Sequence, residues 1–456
     1  MIARIPLLAL ALAVPAAAAT HDDPRGLMPT QRPPVSAGQG PCGELPGRAL
    51  TLPDLVDIAL CRNPQTSISW AGVRAAAANV GVARSAELPS VNLTVSPAFS
   101  RFDTQSGIGA SSEVTSSAAL AVNYLLFDGG GRAARIDAAG ARQQSALASY
   151  ADAAQGVVLN TVTAYYALLA NRAVETANLA NITFARQSRD LAAARKNAGV
   201  ATSADRLQAE TALSQAELTL IQTRGNIETA AAQLAVSIGL PPQVKLALAS
   251  QAPLATGALL GAGADALIAD AERLRPDLVA ARANVANADA NVRAQLSAGR
   301  PSVSATASNN LSAVNTGFSS NNGAIGLSLS VPIFSGFSQR YSIASARAEA
   351  ERQAGLFEQT RQQAGLTVYT NYVGLQTALA SLGTARALIA SATESANLAQ
   401  GRYKAGVGTF ADLLNAQSAL ASARQQLVQS EFNVRSANAQ LARAVGGIGE
   451  AVDAER

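Results

Sequence analysis

Histidine is almost missing from this chain. His21 is the only one in 456 residues, which leaves nothing to build a histidine metal cluster or a histidine-based catalytic triad. Two cysteines, Cys42 and Cys61, are too few for a disulfide framework, although they suffice for one bridge. Aromatic residues make up 4% of the chain and charged residues 14%. No basic patch with interleaved aromatics occurs, so nucleic acid is not an expected partner. The formal charge of +4 is spread in both signs along the sequence. No nucleophile–base pair or metal-ligand constellation stands out, and neither catalysis, a cofactor nor a metal is expected. Long uninterrupted apolar runs are also missing. Beyond the N-terminus each helical segment meets Asn, Gln, Arg or Asp within a few residues, so no transmembrane helix is expected.

What is abundant is Ala, Ser, Gln and Asn, a mixture suited to long helices that pack closely through small residues. The first residues, MIARIPLLALALAVPAAAAT, have a basic start at Arg4, a short apolar run and a small-residue cleavage site. They predict a signal peptide over 1–19 and an exported chain. An N-terminal extension covers 20–49. The exported compartment permits a Cys42–Cys61 disulfide, with two separate buried thiols as the alternative.

The chain is read as two copies of one plan. NAGVATSADRLQAE (197–210) and KAGVGTFADLLNAQ (404–417) share Ala-Gly-Val, Thr, Ala-Asp, Leu and Ala at a constant offset of 207. Tyr165 and Tyr372, Phe127 and Phe334, and Gly239 and Gly446 keep that offset, while Pro64 and Pro276, and Pro89 and Pro301, are 212 apart. The five lost residues fall in a polar hairpin tip. The halves are assigned to 50–239 and 265–446, joined by a linker over 240–264, with a tail over 447–456. Each is predicted to run helix, two strands, very long helix, turn, helix.

The strands rest on period-two alternation over 90–127 and 302–334. Val91, Leu93, Val95 and Phe99 oppose Ser90, Asn92, Thr94 and Ser96. Ile325, Leu327, Leu329, Val331 and Ile333 oppose Gly326, Ser328 and Ser330. Strands of about ten residues with one apolar and one polar face suit a membrane barrel; half-buried strands of a soluble sandwich share the period. Aromatics near strand ends (Tyr124, Phe127, Phe334) favour the barrel. Four strands cannot close alone, since a spanning barrel needs at least eight or so and open edges in lipid leave backbone groups unpaired. Barrel strands therefore imply an oligomer.

The helices carry heptads. Leu413, Leu420, Leu427, Val434 and Leu441 are seven apart, beside Ala416, Ala423, Ser430, Ala437 and Ala444; Leu213, Leu220, Ile227 and Leu234 repeat the pattern in the first half. This predicts coiled-coil packing. Residues 129–198 and 337–405 contain no proline, and at 1.5 Å per residue each could extend about 100 Å, as in a fibre or a tube. The repeated turn joins the very long helix to the returning one. Gly199 and Gly406 are placed at helix C-termini, Thr202 and Thr409 as N-caps, and Asp205 and Asp412 as the acidic partners of capping boxes.

With its order of elements, its LTLPDLVDIALCRNPQ opening (50–65) and its RYKAGVGTFADLLNAQ segment (402–417), the chain resembles the TolC-like outer-membrane efflux protein family over roughly 45–447. The ALCRNPQ segment with its upstream Cys42 is most similar to the CyaE-like members that export RTX-type toxins by type I secretion. The resemblance implies a mixed α/β membrane protein working as a homotrimer in outer-membrane lipid. Four strands per protomer would make a shared twelve-stranded barrel, and the long helices a coiled-coil periplasmic tunnel. It also implies a periplasmic adaptor protein and an inner-membrane ABC transporter or other pump as partners. A multidrug or small-molecule efflux channel is the alternative function, and a trimeric surface fibre or adhesin a distant one.

Carried over residue by residue, the periplasmic mouth would include Asp205, Asp412 and Tyr403. The family's second acidic position is Asn415 here, and its turn arginine is replaced by Gly408, so the closed mouth must be latched differently. In a trimer the aspartates would form rings whose like charges raise one another's pKa and attract cations.

Overall fold

The computed structural model describes residues 48–102, 111–249, 260–261, 263–315 and 317–449, together with Gly26 and Pro29. Its elements are α1 (Leu52–Arg62), α2 (Pro64–Ser85), β1 (Ser90–Phe102), β2 (Ser111–Phe127), α3 (Gly131–Asn197), α4 (Ser203–Ser237), α5 (Ala264–Leu274), α6 (Pro276–Ser297), β3 (Ser302–Val314), β4 (Ser319–Ser330), α7 (Ser338–Ala405) and α8 (Phe410–Val445). The signal segment and Cys42 lie outside the described residues. Cys61 sits on α1 and is not a free thiol.

Each half starts with two helices where one was expected. The breaks fall at Asn63-Pro64 and Arg275-Pro276, where the proline ring excludes the preceding residue from helical geometry. Asn63 and Arg275 are accordingly extended (ψ 129° and 123°). The strands, of 13, 17, 13 and 12 residues, are longer than expected. β4 nevertheless stops at Ser330 rather than running to Phe334, because Pro332 brings no N–H to the ladder.

The chain forms two compact units. One, from the described parts of Arg74–Gln143 and Asp289–Ala346, contains a single antiparallel sheet in the order β1-β2-β3-β4. Cross-strand pairing keeps like with like. Val91, Val122, Ala307 and Ile325 form one row across all four strands, and Ser90, Asn123, Thr306 and Gly326 the next. Since one residue of slip would reverse every side chain, this pattern fixes the register. In the single chain the apolar rows are half-buried at Val122 and Ala307 and bare on β4, where Ile325 is 92% exposed and Leu327 75%. Among the described residues β1 and β4 are unpaired on their outer sides, and Pro97 is tolerated within β1 because it is an edge strand.

The other unit takes in the described parts of Pro33–Val73, Gln144–Ala288 and Arg347–Arg456. It is helical and cored by the heptad rows. Leu413, Ala416, Leu420, Ala423, Ser430, Val434, Leu441 and Ala444 of α8 are buried, as are Ala209, Leu213, Leu220, Thr223, Ala230 and Leu234 of α4. Polar pairs link the helices: the Asn178 side-chain amide donates to the buried Thr223 hydroxyl (2.9 Å), and the partly exposed Arg443 reaches Asp152 (2.5 Å). Asp277 beside Arg275 shows opposed influences. Burial pushes its carboxyl up, but the bonds and charge of Arg275 outweigh it and hold the pKa below the ordinary value.

By length and composition alone, α3 and α7 each contain an 18-residue stretch apolar enough to cross a membrane. Alanine contributes the apolar character without bulk, and in α3 half of that stretch is buried inside the protein.

Candidate functional site at the two helix turns

The turns after α3 and α7 have the same hydrogen bonds, atom for atom. At the end of α3, Gly199 adopts φ +76°, its N–H bonds the Lys196 carbonyl (2.9 Å), and the Val200 N–H reaches back to Arg195 (2.9 Å). At the end of α7, Gly406 adopts φ +79°, its N–H bonds the Tyr403 carbonyl (3.1 Å), and the Val407 N–H bonds that of Arg402 (3.0 Å). A left-handed residue closing a helix in this way wants glycine. Each next helix then starts on a reciprocal cap. The Asp205 N–H donates to the Thr202 hydroxyl (3.2 Å) and the Thr202 N–H to the Asp205 carboxylate (3.0 Å). Asp412 and Thr409 do the same at 3.1 and 3.2 Å. The motif recurs because the same stop and start are built twice.

The second cap shifts the ionisation of its aspartate. The Thr409 hydroxyl and amide, with Arg402 nearby, hold the Asp412 carboxyl below its ordinary 3.8. The cap is therefore intact at neutral pH and is lost only as pH falls through that lowered value. Within one chain this opposes the rise expected of a ring of like charges.

Between the turns lies a small core of Ala192, Ala209, Tyr403, Phe410 and Leu413. Tyr403, read from the sequence as part of a mouth, is 3% exposed. Its ring packs against Phe410 with centroids 5.3 Å apart. Arg195, from the last turn of α3, donates to the Tyr403 carbonyl and lies 4.7 Å from the centre of its ring. Burial and the charge of Asp205 push the Tyr403 hydroxyl above its usual pKa, partly offset by Arg195. Neither Arg195 nor Phe410 was picked out from the sequence. Arg195 reads there as an ordinary helix-end cation; its partner is 208 residues away.

Gly408 and Asn415, read from the sequence as departures from the family pattern, lie in or beside the second turn. A Cβ on Gly408 would stand 3.1 Å from the Cβ of Arg402 and 3.3 Å from the Tyr403 nitrogen, so a side chain there needs its neighbours to shift. Asn415 lines a cleft of about 450 Å³ with Asn178, Asn181, Gln417 and Arg424. In that cleft the Arg424 guanidinium donates to the side-chain Oδ1 of Asn181 (2.7 Å).

The architecture is shared with solved structures. The outer membrane protein VceC of Vibrio cholerae superposes with a TM-score of 0.75 at 21% identity, covering 87% of this chain and 96% of that one. The CmeC outer membrane channel of Campylobacter jejuni gives 0.76 at 17% identity, covering 94% and 98%. The fold is that of outer-membrane channels. In sequence, the family profile described as outer membrane efflux protein matches residues 55–240 and 267–447. Protein CyaE of Bordetella pertussis is 34% identical over 364 residues, 76% of each chain. The chain belongs to the outer membrane efflux protein family, a family of channels rather than enzymes, and its place is the outer membrane.

Proposed function

We propose that the chain is the outer-membrane channel of a type I secretion system, a passive conduit for an exported protein such as an RTX-type toxin. Three copies share one twelve-stranded barrel, and the helices of the two repeats form a periplasmic tunnel with the capped turns at its mouth. A periplasmic adaptor and an inner-membrane ABC transporter complete the pathway. The observation that supports this best is the open sheet. Among the described residues it has two unpaired edges, β1 and β4, and an apolar face whose outer-strand side chains, such as Val91 and Ile325, are exposed. Such a sheet is stable in lipid only if copies close it. Secretion rather than small-molecule efflux is favoured by the identity to protein CyaE and by the Ser, Thr, Asn and Gly of the opposite strand face, which offer an unfolded polypeptide no sticky apolar site. Deleting the gene is expected to abolish secretion of one large protein and to leave drug sensitivity little changed. Loss of drug resistance with intact secretion would favour the efflux alternative.

The rings of Asp205 and Asp412 concern conduction. Asn accepts a hydrogen bond yet carries no charge, so it separates capping from charge. Asp412→Asn is expected to keep the trimer's thermal stability and to lower cation selectivity in planar bilayers; Asp205→Asn acts in the same direction more weakly. Unchanged selectivity, with stability lost only in Asp412→Ala, would leave Asp412 as a cap worth about 1 kcal/mol.

A further inference from the structure

The apolar face of the sheet turns polar midway along β3. Asn309 stands in the cross-strand row Leu93, Leu120, Asn309 and Gly323. Ala307 and Leu311 flank it on the same face of its own strand. Leu120 opposes it on β2, and Gly323 opposes it on β4 with no side chain. The space left by Gly323 and the small Ala307 is a shallow hollow of about 550 Å³, walled by Leu120, Val122 and Ile325, with Asn309 among its lining. Asn321 lies diagonally from Asn309, one row nearer the β3–β4 turn. The hollow is thus apolar at one end and carries an amide at the end towards that turn. Among the described residues no group pairs with the Asn309 side chain. A polar group taken out of water is costly unless something hydrogen-bonds it. Glycine inside a strand marks a place that another group approaches closely. Packing within the chain does not demand it here, since a Cβ on Gly323 would meet nothing nearer than the Ser308 carbonyl at 3.9 Å.

We propose that this hollow binds one acyl chain of an outer-leaflet lipid, a chain that carries a hydroxyl or ester oxygen part-way along it. The tail lies over Ala307 between Val122 and Ile325, and the Asn309 amide donates to the oxygen. A plain acyl chain fills the hollow equally well but leaves the amide unpaired, so the oxygen is what the site selects. The site rests on the proposed reading that the apolar face meets lipid, with the β3–β4 turn on the outer side.

The test is native mass spectrometry of the intact, detergent-extracted protein, incubated with β-hydroxymyristic acid or with myristic acid. The hydroxy acid is expected to be retained at least fivefold more than the plain one. Asn309→Leu is expected to remove that preference while myristic acid is still retained. Gly323→Leu fills the hollow and is expected to lower retention of both acids at least fivefold. Both variants are expected to assemble as the parent does, since each adds only apolar bulk to a lipid-facing row. Equal retention of the two acids by the parent, a preference that survives Asn309→Leu, or unchanged retention in Gly323→Leu would each overturn the site. The same spectra count the chains, so equal retention by a three-chain particle overturns the site alone and leaves the channel reading standing.

Discussion

Leu327→Arg is expected to abolish the assembled channel, whereas Ser328→Arg, one residue along the same strand, leaves it in place. Leu327 pairs with Ala305 and Ser328 with Ser304, so the two side chains lie on opposite faces of the sheet. If the apolar row faces lipid, an arginine near the bilayer midplane costs about 2–4 kcal/mol per copy, or roughly three times that in a trimer. That is comparable with the whole stability of an ordinary domain, about 5–15 kcal/mol. On the polar face the same charge stays in water. The readout is the heat-modifiable oligomer in outer-membrane fractions. Equal amounts of oligomer from the two variants would mean that the apolar row is not the lipid face.

Leu413→Ala is expected to lower the thermal midpoint of the helical signal and to loosen both turns together. Leu413 is fully buried and packs with Ala192, Ala209, Tyr403 and Phe410. Truncating such a leucine costs about 2–5 kcal/mol, because the surroundings relax only partly around the cavity. Leu413→Met conserves volume and should cost less than about 1.5 kcal/mol. The contrast separates a packing role from any effect of altering the adjacent Asp412 cap. Equal midpoints for the alanine and methionine variants would show that the turn core does not support the helices.

What the sequence made legible was whatever repeats at short range. The heptad of α8 names its buried row because a seven-residue spacing keeps one stripe facing the core. The caps at Thr202 and Thr409 were readable because their partners lie three residues away. Alternation marked the strands, although Pro332 ended β4 earlier than the apolar pattern suggests. The breaks at Pro64 and Pro276 were printed in the sequence but lost against the helical composition around them. The pairing of β2 with β3, and of Arg195 with Tyr403, had no local signal. Those contacts join the two halves of the chain, and a single cation or strand carries no mark of a partner so far away.

The central claim is that one chain supplies a third of a channel. It is tested most directly by native mass spectrometry of the detergent-extracted protein, with single-channel recording on the same preparation. The account predicts a particle of three chains that conducts, and no conduction from any fraction of single chains. A monodisperse single chain that conducts would contradict it.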